Sequence, residues 1–378
     1  MNFKTVNNIT GWVVCLIACM VYLLTIEAGG SFWDCGEFVS CCFKVQIPHP
    51  PGAPLFVLLG RLFIVAFGDH PLNAAKAVNC MSALASGFTI LFLFWTITHM
   101  AKRLLLRNSP TLNNTQLISI MGAGVVGALA FTFSDSFWFS AVEGEVYAMS
   151  SFFTAIVFWC ICKWEERADE PQADRWIVFI FFLIGMSIGV HLLSILDIPA
   201  IVMVYYFRRK DRFEYRLVKK YFLWIVCIGG IAATLGALFM AQRETPDGQS
   251  FDGTVAGLFF LGTLLVIAGL YLAEWIGKKQ KAFFGSVYVF LLLSCAVELF
   301  VQIGVIQYSI KAAGSFDLFF VNSLGLPFFS GFTFFFILVA VGVWAALRYA
   351  NKKKWSMLNL GLWCMVFILF GYSPYVTT

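Results

Sequence analysis

The chain has 378 residues, of which 60% are hydrophobic and only 12% charged, with 42 Phe and 12 Trp. No water-soluble core of that length could hide so much apolar surface, so the composition excludes a soluble domain and specifies an all-α polytopic membrane protein. The formal net charge of +5 is spread over several loops without interleaved aromatic residues, so no nucleic-acid partner is expected.

The chain opens with Met1–Lys4 and an apolar run from Gly11 that continues to Thr25 without a small-x-small cleavage site, so it reads as a retained first helix rather than a signal peptide. Further apolar runs follow at 77–100, 118–134, 147–163, 176–192, 194–207, 221–241, 254–276, 283–307, 327–349 and 355–372. With the first, at 11–27, these make about eleven candidate spans in one membrane domain covering 1–378. Leu55–Phe67 is different: it is short, carries Arg61 at its centre and follows a proline cluster. It is expected to lie in the interface within a first exoplasmic loop, 28–76.

Charge supports that choice. If Leu55–Phe67 does not cross, Lys4, Lys102, Arg103, Lys163, Arg167 and the basic stretch Arg208–Lys220 all fall on one side. Basic residues collect on the cytoplasmic side, which puts the amino terminus inside and the carboxyl terminus outside. Most of the eleven Cys sit in apolar runs, where they pack as small hydrophobes. No bridge is expected among Cys35, Cys41 and Cys42.

The opposite side collects the acids, and two stretches stand out there. One is Ser31-Phe32-Trp33-Asp34-Cys35-Gly36-Glu37-Phe38, followed by Pro48-His49-Pro50-Pro51-Gly52-Ala53-Pro54; the other is Glu143-Gly144-Glu145-Val146-Tyr147. Asp34 and Glu37 share a face if they lie on a helix, whereas Glu143 and Glu145 do so only if the chain is extended or irregular. Flanking prolines make His49 a positioned side chain or a simple turn residue. Arg61, Lys76, His191 and Arg243 are scarce cationic groups on an acidic side, where they hold a phosphate or snorkel to head groups.

Other chemistries fit less well. Four His without paired spacing give no metal cage, and Gly122-Ala123-Gly124 lies within a span rather than in a phosphate loop. No Ser nucleophile elbow is present. Glu298, in mid-span, keeps a transporter or flippase of lipid-linked sugars open as an alternative, and a non-catalytic membrane subunit is a third.

The acid loop, the His-Pro-Pro-Gly run and the Glu-Val-Tyr motif together resemble a family of GT-C-type membrane glycosyltransferases that includes transmembrane protein 260, a protein O-mannosyltransferase, and its Bacteroidetes relatives. The resemblance implies transfer of a sugar, with mannose expected, from a polyprenyl-phosphate donor to protein Ser/Thr hydroxyls by inverting displacement. Asp34 matches the family's catalytic acid, with Glu37 beside it. His49, Glu143, Glu145 and Tyr147 match motif positions and are taken with Arg61, Lys76, His191 and Arg243 as substrate-binding. No cofactor is implied, because the lipid-linked sugar is a substrate; the partners are that donor, an acceptor protein or peptide and the bilayer. The expected location is a bacterial inner membrane with the site facing the periplasm, and an exoplasmic domain is expected beyond residue 378.

Overall fold

The computed structural model describes residues 2–376 apart from 51, 108–110, 210–214, 242–253, 277–293, 296, 300, 303–305, 307–309 and 355. The described residues are overwhelmingly helical and contain no strand, as expected for a chain that must satisfy its backbone within the membrane. They form two compact units, Met1–Asp197 with Val301–Thr378, and Ile198–Phe300.

In the first unit the order is α1 (Phe3–Leu24), α2 (Cys35–Lys44), α3 (Pro54–Ala66), α4 (Pro71–Leu105), α5 (Asn114–Thr132), α6 (Asp135–Val142), α7 (Val146–Arg167) and α8 (Arg175–Ile188). A 3₁₀ turn, Leu192–Leu196, follows, and the unit resumes with α12 (Ile310–Leu324), α13 (Ser330–Lys353) and α14 (Ser356–Val376). Between them lie α9 (Asp197–Arg209), and α10 (Tyr215–Ala241) and α11 (Thr254–Ile276), which pack on each other in the second unit.

Among the described residues five helices, α1, α4, α5, α7 and α13, are long and apolar enough to cross a membrane. The expected span at 176–192 is shorter than read: α8 stops at Ile188 after 14 residues, about 21 Å of rise. The run at 194–207 opens as a 3₁₀ turn before α9 begins at Asp197. The run at 283–307 lies largely outside the described residues. Among the described residues α2, α6 and α12 fall outside the runs read as helices.

Antiparallel packing of α1 on α4 sets the frame. The Asn79 amide, two turns into α4, donates to the carbonyls of Glu27 (2.9 Å) and Gly29 (3.1 Å), just past the end of α1. At the opposite end Lys102 of α4 sits over the Phe3 ring of α1 at 4.7 Å. The chain therefore leaves α1 and enters α4 at the same end of the bundle, and α2 and α3 must both lie at that end. At 13 residues α3 rises about 20 Å, too little to cross and return. Its first backbone N–H, from Leu55, donates to Gly189 at the end of α8 (2.8 Å). Gly60 allows α3 to settle against α2, since a Cβ there would collide with the Cys42 side chain.

The core of this unit joins Val14, Ala18 and Tyr22 of α1 to Ala83, Ile90 and Phe94 of α4, Ile120 and Ala128 of α5 and Phe137 of α6. In lipid the hydrophobic effect does not drive helices together, so close packing between small residues and polar ties carries the association. Tyr22 Oη donates to the Thr132 carbonyl at 2.9 Å, and Trp138 Nε1 donates to Thr25 Oγ1 at 3.0 Å, tying α1, α5 and α6 at the acidic end. The start of α5 is fixed by a capping box between Asn113 and Gln116.

Candidate functional site

The first loop after α1 reaches its acids through an unusual backbone step. Trp33 has φ 62°, the left-handed region that a bulky residue rarely enters, and its ring is 89% exposed. That step delivers Asp34 as the N-cap of α2, with Glu37 in the first turn and the Phe38 N–H bonded to the Asp34 carbonyl at 2.9 Å. The helix N-terminus favours both carboxylates. The Asp34 side chain makes no capping hydrogen bond and stands exposed.

α2 ends at Val45 in the left-handed conformation, and the chain returns through Pro48-His49-Pro50 to Gly52, whose N–H closes a turn on the His49 carbonyl (2.9 Å) and whose φ is +77°. This turn brings His49 back over α2. Its backbone N–H donates to Glu37 Oε1 at 2.5 Å, and its Nδ1 lies 3.0 Å from Glu37 Oε2. The pairing lowers the Glu37 pKa and raises that of His49, which Asp34 and Glu145 raise further. Ligand atoms of Asp34, Glu37 and His49 all lie within 4.8 Å of one another, close enough to share one cation.

The second motif enters from the opposite side as extended chain: Glu143 has φ −122°, ψ 158° and Glu145 φ −118°, ψ 154°, before α7 starts at Val146. This is the irregular geometry required for both glutamates to face inward. Gly144 makes it possible, because a Cβ there would stand 3.0 Å from Asn79 Oδ1, 3.1 Å from Val78 Cγ1 and 3.2 Å from Val39 Cγ2. Glu143 and Glu145 are 4% and 5% exposed, both buried against the α2 and α4 starts. Glu145 accepts the Val146 N–H at 3.2 Å and the Cys35 thiol at 3.9 Å. Burial, with added repulsion from Asp34 and Glu143, pushes its pKa up to about 7. Burial also raises Glu143, against hydrogen bonds from Cys35 and Ser31, and its Oε2 has no partner. Burial and both glutamates raise the Cys35 thiol.

Tyr147 and His191 form a separate ring pair, 5.5 Å apart. His191 Nδ1 accepts the Leu193 N–H at 3.1 Å, and burial lowers its pKa, so the neutral ring carries its proton on Nε2. An apolar cavity of about 520 Å³ begins beside this pair, lined by Tyr147, Leu193, Phe131, Phe158 and Leu93.

Asp34, Glu37, His49 and Glu145 thus converge, with Glu143 behind them. Arg61 does not join them: it grips Asp69 through two bonds (2.6 and 3.0 Å) and the Phe43 carbonyl at 3.1 Å. Lys76 stands exposed on α4 and makes no salt bridge among the described residues. Arg243 lies outside the described residues. Sequence reasoning missed Asn79, Cys35 and Ser31. Asn79 had a signal: an amide within the apolar run Ala77-Val78-Asn79-Cys80-Met81 must find partners or pay for its burial.

Residues 34–214, which contain both acidic motifs, match the family described as the N-terminal domain of protein O-mannosyl-transferase TMEM260. The chain is similar to protein O-mannosyl-transferase tmem260 of Dictyostelium discoideum, 27% identical over 165 residues, which are 43% of this chain and 18% of that protein. It is likewise similar to protein O-mannosyl-transferase TMEM260 of Mus musculus, 25% identical over 168 residues, covering 44% of this chain and 21% of the mouse protein. The match thus spans about a fifth of each relative's length. No solved structure matches.

Proposed function

We propose, from the match of residues 34–214 to the N-terminal domain of protein O-mannosyl-transferase TMEM260, that this chain is a membrane glycosyltransferase that moves mannose from a polyprenyl-phosphate donor to protein Ser/Thr hydroxyls. Transfer occurs on the exoplasmic side, the periplasmic face of a bacterial inner membrane. The observation that carries this reading is the convergence, inside the matched segment, of Asp34, Glu37 and Glu145 on His49 at one end of the helices.

The three acids are not equivalent. Glu37 is occupied by His49, and Glu145 is buried and carries a proton through much of the range below neutrality. Asp34 alone is exposed with its carboxylate uncommitted by a cap bond, and it is the general base. An ordinary Asp cannot deprotonate a free hydroxyl, but it accepts the proton as the acceptor oxygen bonds to the sugar C1. The C1–O bond to phosphate breaks on the opposite face, its electron pair leaves with the phosphate, and the anomeric configuration inverts. A phosphate departs as a stable anion, so the second, acidic carboxyl that glycosidases use is not needed.

Glu37 and His49 hold the loop that carries the acceptor, while Glu145 orients the donor sugar. The His191 Nε2–H is a neutral donor for the lipid phosphate, beside an apolar cavity that suits the polyprenyl chain. Lys76 adds positive charge near the phosphate. The test is transfer of radiolabelled mannose from polyprenyl-phosphate mannose to a Ser/Thr peptide by the full-length protein in proteoliposomes. No transfer by the parent, with lipid-linked sugar moved across the bilayer instead, overturns the reading in favour of a flippase.

A further inference from the structure

A second cavity, of about 540 Å³, lies at the other end of the same helices, between residues of α1, α4, α7 and α8. Its wall is a continuous row of indoles. Trp12 meets Trp95 at 6.3 Å, Trp95 meets Trp159 at 5.7 Å, and Trp159 meets Trp176 at 6.1 Å. Gly11 leaves room for this row, since a Cβ there would stand 2.6 Å from Trp95 Nε1.

The charge around it is one-sided. Lys4, Lys102, Lys163 and Arg167 line the cavity against a single carboxylate, Glu166. That carboxylate is already engaged by Lys163 at 3.0 Å and by His99 Nδ1 at 3.1 Å. Lys4, Lys102 and Arg167 make no salt bridge among the described residues.

We propose that this cavity binds the head group of an anionic glycerophospholipid. The surplus cations face the phosphodiester oxygens. The indole row carries the glycerol and the first acyl carbons, as indoles do where a membrane meets water. A zwitterionic choline head group fits less well, because it brings a fixed cation among four others. The site shares no residue with the acidic cluster and does not depend on the reaction assigned to it.

The experiment uses the full chain in phosphatidylcholine nanodiscs doped with phosphatidylglycerol, released for native mass spectrometry. The parent is expected to retain one phosphatidylglycerol preferentially. Lys4→Ala/Lys102→Ala/Arg167→Ala should weaken retention by about fivefold per cation removed. Lys4→Arg/Lys102→Arg/Arg167→Lys keeps the charges and should retain the lipid as the parent does, with all variants of unchanged helicity and melting temperature. Equal retention in the parent and the alanine variant, or equal retention of phosphatidylcholine, overturns the proposal. So does displacement of the lipid by soluble glycerol 3-phosphate, which would mark a site for a free phosphate ester.

Discussion

Glu37 holds His49 at two points, through its backbone N–H (2.5 Å) and its Nδ1 (3.0 Å), although twelve residues separate them. The proline-bounded turn is thereby locked over the first turn of α2. The shifts give the pair a pH window: the raised His49 pKa makes its contribution full below the ordinary histidine value and lost as pH rises through the folded value. The lowered Glu37 pKa makes its contribution present above the ordinary carboxylate value and lost on acidification through the folded one. Glu37→Gln should therefore lower the His49 pKa, read from its imidazole NMR titration. An unchanged midpoint would show that the pair does not form in solution.

Asp34→Asn keeps the side chain's shape and removes its proton-accepting charge. Transfer should fall by about 10² to 10⁴, with folding and donor-lipid binding retained. Glu37→Gln should cost less, because its part is to position His49. The assay is mannose transfer to peptide, and parent-level turnover by Asp34→Asn would remove the base assignment.

Glu145 titrates near 7 in the folded protein against an ordinary value of 4.5. Between those values the unfolded chain has lost the proton that the folded chain keeps, so stability falls as pH rises from about 4.5 to 7 and levels off beyond. At about 1.4 kcal/mol per pKa unit, the ionised side chain opposes folding by roughly 3 kcal/mol above pH 7. Glu145→Gln should abolish that slope and melt higher than the parent at pH 8. Parallel melting curves of parent and variant across pH 5–8 would contradict the buried, shifted carboxylate.

Gly144→Ala places a methyl against Asn79 Oδ1 and Val78, at 3.0 and 3.1 Å. Neither neighbour has free space, so the variant should lose about 1–3 kcal/mol of stability. It should also lose transfer, because both glutamates shift with the backbone. A variant with parent melting temperature and parent activity would mean that the motif does not pack on α4 as described.

Topology is checked by labelling. In a background with the exposed Cys227 and Cys295 replaced, Cys introduced at Asn73, at the start of α4, should react with an impermeant maleimide from outside, and Cys at Asn114 only from inside. The reverse pattern would move the acidic end to the cytoplasm and with it the proposed reaction.

Composition and the unbroken apolar runs of about twenty residues determined that the chain is a helical membrane protein, because a membrane barrel, which also satisfies its backbone in lipid, alternates apolar and polar residues along each strand. The distribution of Lys and Arg was enough to keep Leu55–Phe67 from being taken as a crossing helix, and the Asn79 ties to Glu27 and Gly29 agree with it. Local chemistry also marked Asp34, Glu37 and His49, since prolines and a helix start restrict the backbone within a few residues. What only the tertiary structure decided was partnership. Which acid is free, which is paired and which is buried depends on contacts between segments, 12 residues apart where His49 turns back on Glu37 and 110 apart where Cys35 of α2 meets Glu145 before α7. Arg61 looked like a cation awaiting phosphate until the fold turned Asp69 back onto it. Sequence spacing carries the period of a helix, whereas desolvation and pairing are set by neighbours brought from elsewhere in the chain, and it is these that assign each carboxylate its charge.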